Sequence, residues 1–597
     1  SSARQAVVRP LGRPEGVGAW AAGGGLGRAA REWWEAGLRC GGVRPPKVGA
    51  MWTGCALGVV LRVLLYAAGA PGYLEEHLEL SSPMTSHLRL KECLFLLDAG
   101  VSPYLGETCH VPPLLLQLLL PLHRRGAAEA LYFAVLVAVD VVTALLLRQV
   151  AVQYAAARAQ AGEAWAEASV RLPPPPEEDV ATKTAATCSA SKLPAVAAAA
   201  VPSAAPTAPR LEDVVSPAFV GLAYLMNPIV VAGCLAHSLQ NVHHLTTCAA
   251  LAFAGAGQGG LAAVALALLF YVCPYTPIVL VLPCAYLAWA QRNSSRNTGS
   301  EPEQFRYSRS KDEAAIEVGF VLYFLRFLVA FGSALLVLCL ASLGPSGLSG
   351  GGGGSGGGGA LSENFLNACF VSVLLVRDLT PNVGLFWYIF IEVFDRFRSL
   401  FLFAFQAHLF FYPLPLHIRV GRHRPIGPWL HCAAAVGIVA IFKPYPTASD
   451  HGLTLSVLLI PIELLRESEK QFAFLMSGLL FGLSMFPTMS TVWLARNAGN
   501  ANFLYNMTLV INIFACLLLT EWVRAGMKLR RRQRLQAFCR GVVLDTLEAM
   551  LADRQDGSGA PGVVAADAVA AAGASEATAA KTIITDGPAA AGVRRRR

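Results

Sequence analysis

Apolar residues in this chain fall in long runs, and polar residues gather in short breaks between the runs rather than alternating with them. Repeated bilayer spans produce this pattern, because a helix needs about twenty apolar residues to cross the hydrocarbon. The runs lie at about 52–70, 112–122, 128–148, 213–232, 242–255, 260–289, 315–343, 361–376, 384–418, 427–442, 452–464, 471–487 and 503–523. They predict an all-α polytopic membrane protein with about ten or more crossings. Several runs are too short to cross alone or are cut by Pro or Gly. Such breaks are tolerated only where protein or a water-filled cavity covers the freed backbone groups. The breaks are therefore the place to seek a polar site.

The same pattern divides the chain. Residues 1–50 are rich in Gly and Arg, contain no Met and form no apolar run. They are expected to be a non-native or disordered N-terminal extension, with Met51 as the natural start and its apolar segment as a retained first span. A multispan membrane domain is expected over 51–550, interrupted by disordered inserts at about 154–212, 291–314 and 344–360. The first insert is Ala- and Pro-rich, with the run Pro173–Pro176; the second is polar; the third is nearly all Gly and Ser. A disordered tail is expected over 551–597, ending in Arg594–Arg597. These compositions cannot bury a core, so no chemistry is assigned to them.

Composition agrees with the membrane reading. The 597 residues are 54% hydrophobic and 15% charged, against about a quarter charged in soluble domains. The net charge of +9 suggests nucleic acid only until the positions are read. The basic residues sit at the ends of apolar runs, as Arg419, Arg422 and Arg424 and again as Lys528 to Arg534. That is the positive-inside pattern, so both groups are expected in the cytosol and nucleic-acid binding is excluded. Counting spans back from Lys528, the regions 487–502 and 444–450 then fall on the opposite side, and 466–470 in the cytosol. The 14 Cys show no CxxC spacing and lie mostly inside apolar runs, which predicts neither a metal centre nor a disulfide framework.

Candidate chemistry lies in the breaks. Between two apolar runs, Arg377–Tyr388 holds a polar cluster, a Pro and a Gly. Thr380-Pro381-Asn382 fits a turn that opens a helix, whose first N–H groups are either capped locally or offered to an anion such as phosphate. Glu392 and Arg396 have the i,i+4 spacing for a pair on one helix face. They fit a cavity at membrane depth or the membrane interface. Lys443-Pro-Tyr-Pro-Thr447 makes a rigid extended exit from its run, with Lys443 either snorkelling or meeting an anionic headgroup. In Asn497–Asn502, Asn502 fits the N-cap of the last span, and the Asn cluster also suits a polar headgroup. The sequon at Asn506 lies inside that span.

Near the N-terminus, Glu75, Glu76 and Glu79 stand in the first extramembrane loop. They suit either a catalytic base or a solvated amphipathic helix on the membrane surface. His237, His243 and His244 have no carboxylate or Cys at ligand spacing, so no metal site is expected. No nucleophile elbow, phosphate loop or HExxH occurs, and no cofactor is expected.

Several of these stretches carry a family resemblance. Asp378-Leu-Thr-Pro-Asn-x-Gly-Leu-Phe-Trp-Tyr388 and the aromatic-rich segment to Tyr412 are its most specific part. Phe442-Lys443-x-Tyr445-Pro446-Thr447, Asn500-Ala-Asn502-Phe503 and Leu97-Asp98-x-Gly100-Val-Ser-Pro-Tyr104 follow the same pattern, with Asn227-Pro228 as a weaker match. Together, from about Met51 to Met550, they resemble the PIG-U family, the multispan subunits of the GPI transamidase of the endoplasmic reticulum. The resemblance implies a fold similar to GT-C-type mannosyltransferases and a non-catalytic role in binding the GPI lipid and scaffolding the complex. It implies a multi-pass location in the endoplasmic reticulum membrane and partnership with PIG-K, which carries the Cys–His chemistry, PIG-T, PIG-S and the GPI attachment subunit. Asn500 and Asn502 match the family's lumenal Asn pair, thought to hydrogen-bond the GPI headgroup. Asp378, Thr380 and Asn382 match its polar turn, and Lys443 joins them as a candidate for the lipid-binding set.

The chain departs from the family in its inserts and tails, in Pro444 where Ser is more usual, and in Gly499 beside the Asn pair. The competing expectation is a mannosyltransferase using a dolichol-phosphate sugar. Such enzymes tend to carry an Asp-x-Asp-like motif in the first loop, which Leu74-Glu-Glu-His-Leu-Glu79 fits poorly. A transporter would show inverted repeats, and none is evident in the sequence.

Overall fold

The computed structural model describes residues 48–106, 108–125, 128–170, 216–297, 311–343, 364–424, 426–467 and 469–555. The expectations for 1–47, 171–215, 298–310, 344–363 and 556–597 lie outside the described residues. All regular elements among the described residues are helices. Helix α1 (Val48–Ala67) is followed by the short α2 (Ala70–Leu74), α3 (His87–Asp98), α4 (Pro113–His123) and the long α5 (Ala128–Val170). Next come α6 (Pro217–Leu225), α7 (Pro228–Leu235), α8 (Gln240–Gly255), α9 (Gly259–Val272), α10 (Tyr275–Asn297) and α11 (Lys311–Leu343). The last third holds α12 (Asn364–Leu374), α13 (Phe386–Glu392), α14 (Asp395–Gly421) and α15 (Gly427–Phe442). It ends with α16 (Ala448–Leu458), α17 (Ile462–Glu467), α18 (Glu469–Ser490) and α19 (Ala501–Gln555). Two units divide the chain, one running through Ala525 and one from Gly526.

Helices reach further into the expected inserts than the polarity pattern suggested. α5 runs to Val170, past the expected boundary at 154, because the Ala-rich stretch that follows is a strong helix former and extends an existing helix. Likewise α10 runs to Asn297, α11 starts at Lys311 and α19 continues to Gln555.

Among the described residues five helices are long and apolar enough to cross a membrane, and six if the pair α6–α7, bent by 46°, is counted as one span. Five shorter apolar helices accompany them. The apolar runs shorten where turn formers cut them. The run over 260–289 breaks at Cys273, which is extended, before Pro274. The run over 384–418 breaks at Val393, also extended (ψ 132°). That break puts Glu392 at the end of α13 and Arg396 in α14, so the i,i+4 pair expected on one helix is not made. Pro487, by contrast, lies inside α18 rather than opening the loop expected from it; Pro is tolerated in apolar helices whose freed carbonyl finds another partner.

α8 lies against α5, α9 and α10, while α15 packs on α10 and α16. α11 and α14 turn most of their apolar surface outward, with only 6% and 11% of their spanning windows buried. The break between α6 and α7 is made by Asn227, whose Oδ1 accepts from the N–H of Ile229 (3.0 Å), and by Pro228 at the first helical position. The break strands the carbonyl of Leu225, and Arg62 of α1 supplies the missing donor at 2.8 Å. The same guanidinium donates Nε and Nη2 to Asp140 Oδ2 of α5 (3.2 and 2.9 Å), and both side chains are wholly buried.

The segment after α3 contains a turn that the sequence pattern did not place in space. Gly100 has φ +73°, Val101 N–H donates to Leu96 O (2.9 Å) and Gly100 N–H to Leu97 O (3.2 Å). This is the Schellman ending that a left-handed glycine permits. The chain then folds back so that Tyr104 donates to the carbonyl of Val111 (2.8 Å) and Cys109 is disulfide-bonded to Cys93 of α3. A disulfide was not expected from cysteine spacing, because only the glycine turn brings the two together. Maleimide labelling of the denatured, unreduced protein is expected to spare both residues, and reduction to add two labels. Cys93→Ala removes that increment and lowers stability by about 3 kcal/mol, as for a loop of this size.

Candidate functional site

The stretch from Asp378 to Tyr388 links α12 to α13 and is held open by its own polar side chains. Asp378 Oδ1 accepts from the Thr380 N–H (2.9 Å) and hydroxyl (2.6 Å). Asn382 Nδ2 donates to the Thr380 carbonyl (3.1 Å), and its Oδ1 accepts from the Gly384 N–H (2.7 Å). These are the local bonds by which Asp and Asn replace helix with a turn. Asn382 is fully buried and serves this scaffold, while Asp378 and Thr380 are half-buried.

Arg89 of α3 reaches this turn. Its Nη1 lies 2.5 Å from Asp378 Oδ2 and its Nη2 donates to Thr380 Oγ1 (3.2 Å). Burial would raise the Asp378 pKa, but the Thr380 hydrogen bonds and the Arg89 charge overcome it and hold the carboxyl below its usual value. Tyr445, in the extended link between α15 and α16, donates to the Asp378 carbonyl (3.0 Å). Gly384 lies so close to Pro446 that a Cβ there would meet the proline ring at 2.6 Å. From α19, Asn512 Nδ2 donates to the carbonyl of Val383 (2.9 Å) and Tyr505 to that of Leu385 (3.3 Å). Asn502 Oδ1 accepts from the hydroxyl of Tyr388, whose ring stacks on Tyr505 at 4.5 Å.

Three breaks far apart in sequence therefore form one rim. Within it, Asn500 caps α19: its Oδ1 accepts from the Asn502 N–H (3.1 Å). The cap is thus Asn500 rather than Asn502, because α19 starts two residues earlier than the apolar pattern indicated. Both Asn are exposed. Each spends its oxygen on a protein donor, which leaves its amide nitrogen, a two-hydrogen donor, for a ligand acceptor.

Lys443 takes another course. It is 3% exposed and its Nζ lies 2.8 Å from Asp450 Oδ1. The same oxygen accepts from Gln240 Nε2 (2.8 Å), and Asp450 Oδ2 accepts from the Thr447 N–H (2.8 Å), capping α16. Lys443 thus anchors the link that carries Tyr445 and Pro446, behind the rim.

The first-loop carboxylates are engaged as well. Glu75 Oε1 lies 2.6 Å from His237 Nδ1 and 3.2 Å from His87 Nδ1, with Lys91 Nζ 3.6 Å from Oε2. Burial would raise the Glu75 pKa, but hydrogen bonds from His237 and His87 and the Lys91 charge bring it far below the carboxylate range. Burial lowers that of His87, and Glu75 opposes the fall. Glu79 pairs with His77 at 2.8 Å, and its carbonyl accepts from the Ala448 N–H (2.7 Å), tying this loop to α16.

A family model described as GPI transamidase subunit PIG-U matches residues 56–511. The chain belongs to the PIG-U family. The human protein named GPI-anchor transamidase component PIGU is 27% identical over 496 residues, 83% of this chain and 97% of the human one. The Schizosaccharomyces pombe protein named GPI transamidase component GAB1 homolog is 25% identical over 454 residues, 76% of this chain and 87% of its own. Its Saccharomyces cerevisiae counterpart, GPI transamidase component GAB1, is 29% identical over 166 residues, 27% of this chain and 39% of its own.

In this PIG-U chain, sequence reasoning singled out the three breaks but not Arg89, Tyr388, Tyr445 or Asp450 as the groups that join them. Arg89 lies 289 positions from Asp378, and no local pattern announces such a pair.

Proposed function

We propose that this chain is the non-catalytic, GPI-lipid-binding and scaffolding subunit of a GPI transamidase in the endoplasmic reticulum membrane. One observation carries the reading: Asp378–Tyr388, Tyr445–Pro446 and Asn500–Asn502 meet at one polar rim. The rim continues into α14 through ring contacts of Phe386 and Phe390 with Phe405. The outward face of α14 exposes Phe397, Leu400, Phe403 and Phe410. An apolar face beneath a polar rim is what a lipid with acyl chains and a phosphate-bearing glycan requires. The exposed amides of Asn500 and Asn502 then donate to the headgroup, and Arg89 and Asp378 hold the rim's shape. The Cys93–Cys109 bond on the helix that carries Arg89 favours a lumenal rim, since disulfides persist in oxidising compartments. In this reading the cleavage chemistry belongs to a Cys–His subunit of the PIG-K type, with PIG-T, PIG-S and the GPI attachment subunit as the other partners.

The test uses a pair of substitutions that spares the cap. Asn500→Asp keeps the oxygen that caps α19 and removes the amide donor; Asn502→Ala removes the second. Two hydrogen bonds to a charged headgroup are worth about 3 kcal/mol together, so anchor attachment to a reporter is expected to fall roughly 100-fold. Co-purification of the other subunits is expected to be unchanged. Loss of assembly together with attachment makes the Asn pair structural, and isolation of the chain alone with mannose-transfer activity rejects the reading outright.

A further inference from the structure

We propose that Glu75, His87 and His237 form a zinc site that fastens the first extramembrane loop to the turn between α7 and α8. Sequence spacing excluded His237 as a ligand because no carboxylate stands near it; the fold brings in Glu75 from 162 positions away. The three ligands come from three elements. Glu75 follows α2, His87 opens α3, and His237 sits in the α7–α8 turn. Their donor atoms all lie within 4.8 Å of one another.

The geometry fits zinc. Tetrahedral ligands at ordinary zinc bond lengths lie about 3.3 Å apart. His87 Nδ1 already stands 3.2 Å from Glu75 Oε1, and His237 Nδ1 stands at 2.6 Å. Seating the ion therefore opens the Glu75–His237 contact by roughly 0.7 Å, with the three donor atoms already within 4.8 Å of one another. Two imidazoles and one carboxylate are the donor set of open zinc sites, in which water fills the fourth position. Two neutral imidazoles leave the charge to Glu75, Lys91 and Glu129, which together carry one net negative charge toward a dication. Lys91 does not occupy the site, since it faces the other Glu75 oxygen and pairs with Glu129 at 2.8 Å.

The surroundings hold the ligands in place. His237 is 1% exposed and has φ +53°, a left-handed backbone that a non-glycine residue adopts only under constraint. Its Nε2 is buried without a hydrogen-bond partner among the described residues, so the polar engagement of the ring is through Nδ1, on the Glu75 side. Tyr66, Tyr132 and Phe133 pack around the His237 ring, and Tyr132 stacks on His87 at 4.7 Å. This aromatic shell limits water and restricts ring rotation, as outer shells of metal sites do. Arg89 lies two residues beyond His87 on α3 and grips Asp378. The ion is thus placed to fix the helix that braces the rim, whatever the rim binds.

The full-length protein, purified in detergent, stripped with chelator and reloaded with zinc chloride, tests the site. Elemental analysis after desalting is expected to find about one zinc per chain. Glu75→Gln and His237→Asn, the latter chosen because Asn tolerates the left-handed backbone, are each expected to lower zinc affinity at least about ten-fold. Glu76→Gln, at the exposed neighbouring residue, is expected to leave it unchanged. Cobalt loaded in place of zinc is expected to give the visible absorption of a tetrahedral site in the native chain and to lose it in both ligand variants. Failure of the native chain to retain zinc, or equal retention by folded Glu75→Gln and His237→Asn variants, overturns the proposal and makes the cluster a hydrogen-bonded clasp only.

Discussion

Arg62→Met is expected to destabilise the protein by about 3–5 kcal/mol, the usual effect of stranding one member of a buried ion pair. Arg62 and Asp140 are both wholly buried, and the guanidinium is the cation that compensates the carboxylate. The substitution also removes the donor to the Leu225 carbonyl at the α6–α7 break. Tyr224, which donates to Asp140 Oδ1 at 3.4 Å, is neutral and does not replace the charge. The double variant Arg62→Met with Asp140→Leu is expected to recover most of the loss, because a buried pair replaced by apolar side chains of similar volume is often neutral. Thermal unfolding in detergent, followed by size-exclusion fluorescence, measures both. Equal destabilisation by the single and double variants would show that the Leu225 carbonyl, not the charge, sets the effect.

Asp450→Ala is expected to be nearly as severe, at about 3–5 kcal/mol, and to reach the rim as well. Asp450 compensates Lys443, accepts from Gln240 and caps α16 through the Thr447 N–H. Its loss leaves an ammonium at 3% exposure without its carboxylate. Asp450→Asn keeps an oxygen for the cap but not the charge, so it is expected to recover only about 1 kcal/mol. Because Tyr445 and Pro446 lie two and three residues after Lys443 and touch Asp378 and Gly384, the Asp450→Ala variant is also expected to attach GPI anchors poorly. Lys443→Met combined with Asp450→Leu separates the two consequences. Stability is expected to return except for the lost cap of α16, about 1 kcal/mol, while attachment returns only as far as the link between α15 and α16 regains its path.

Much of this was visible along the chain. The period of the apolar runs specified helices, the Pro, Gly and Asn breaks specified where they end, and the residues of those breaks carried the family likeness. Asp378, Thr380 and Asn382 were legible as a turn because their bonds are local, spanning two residues. Lys443 was not legible, since snorkelling and burial with Asp450 look alike until the fold shows what lies opposite. The helical extension to Val170 was obscured because an Ala-rich segment reads as low complexity whether or not a preceding helix carries it on.

The sequence alone therefore determined the all-helical membrane architecture, the breaks and the family, because these depend on hydropathy and backbone chemistry over a few neighbouring residues. Only the tertiary structure decided that Arg89 meets Asp378, that Arg62 completes the α6–α7 break, that Cys93 bonds Cys109, and that Glu75 meets His87 and His237. These are pairings between charges, donors or thiols, many of them on different helices. Desolvation makes an unpaired buried polar group costly enough to select its partner, but the partner's identity depends on which helix faces lie together, and no local pattern encodes that.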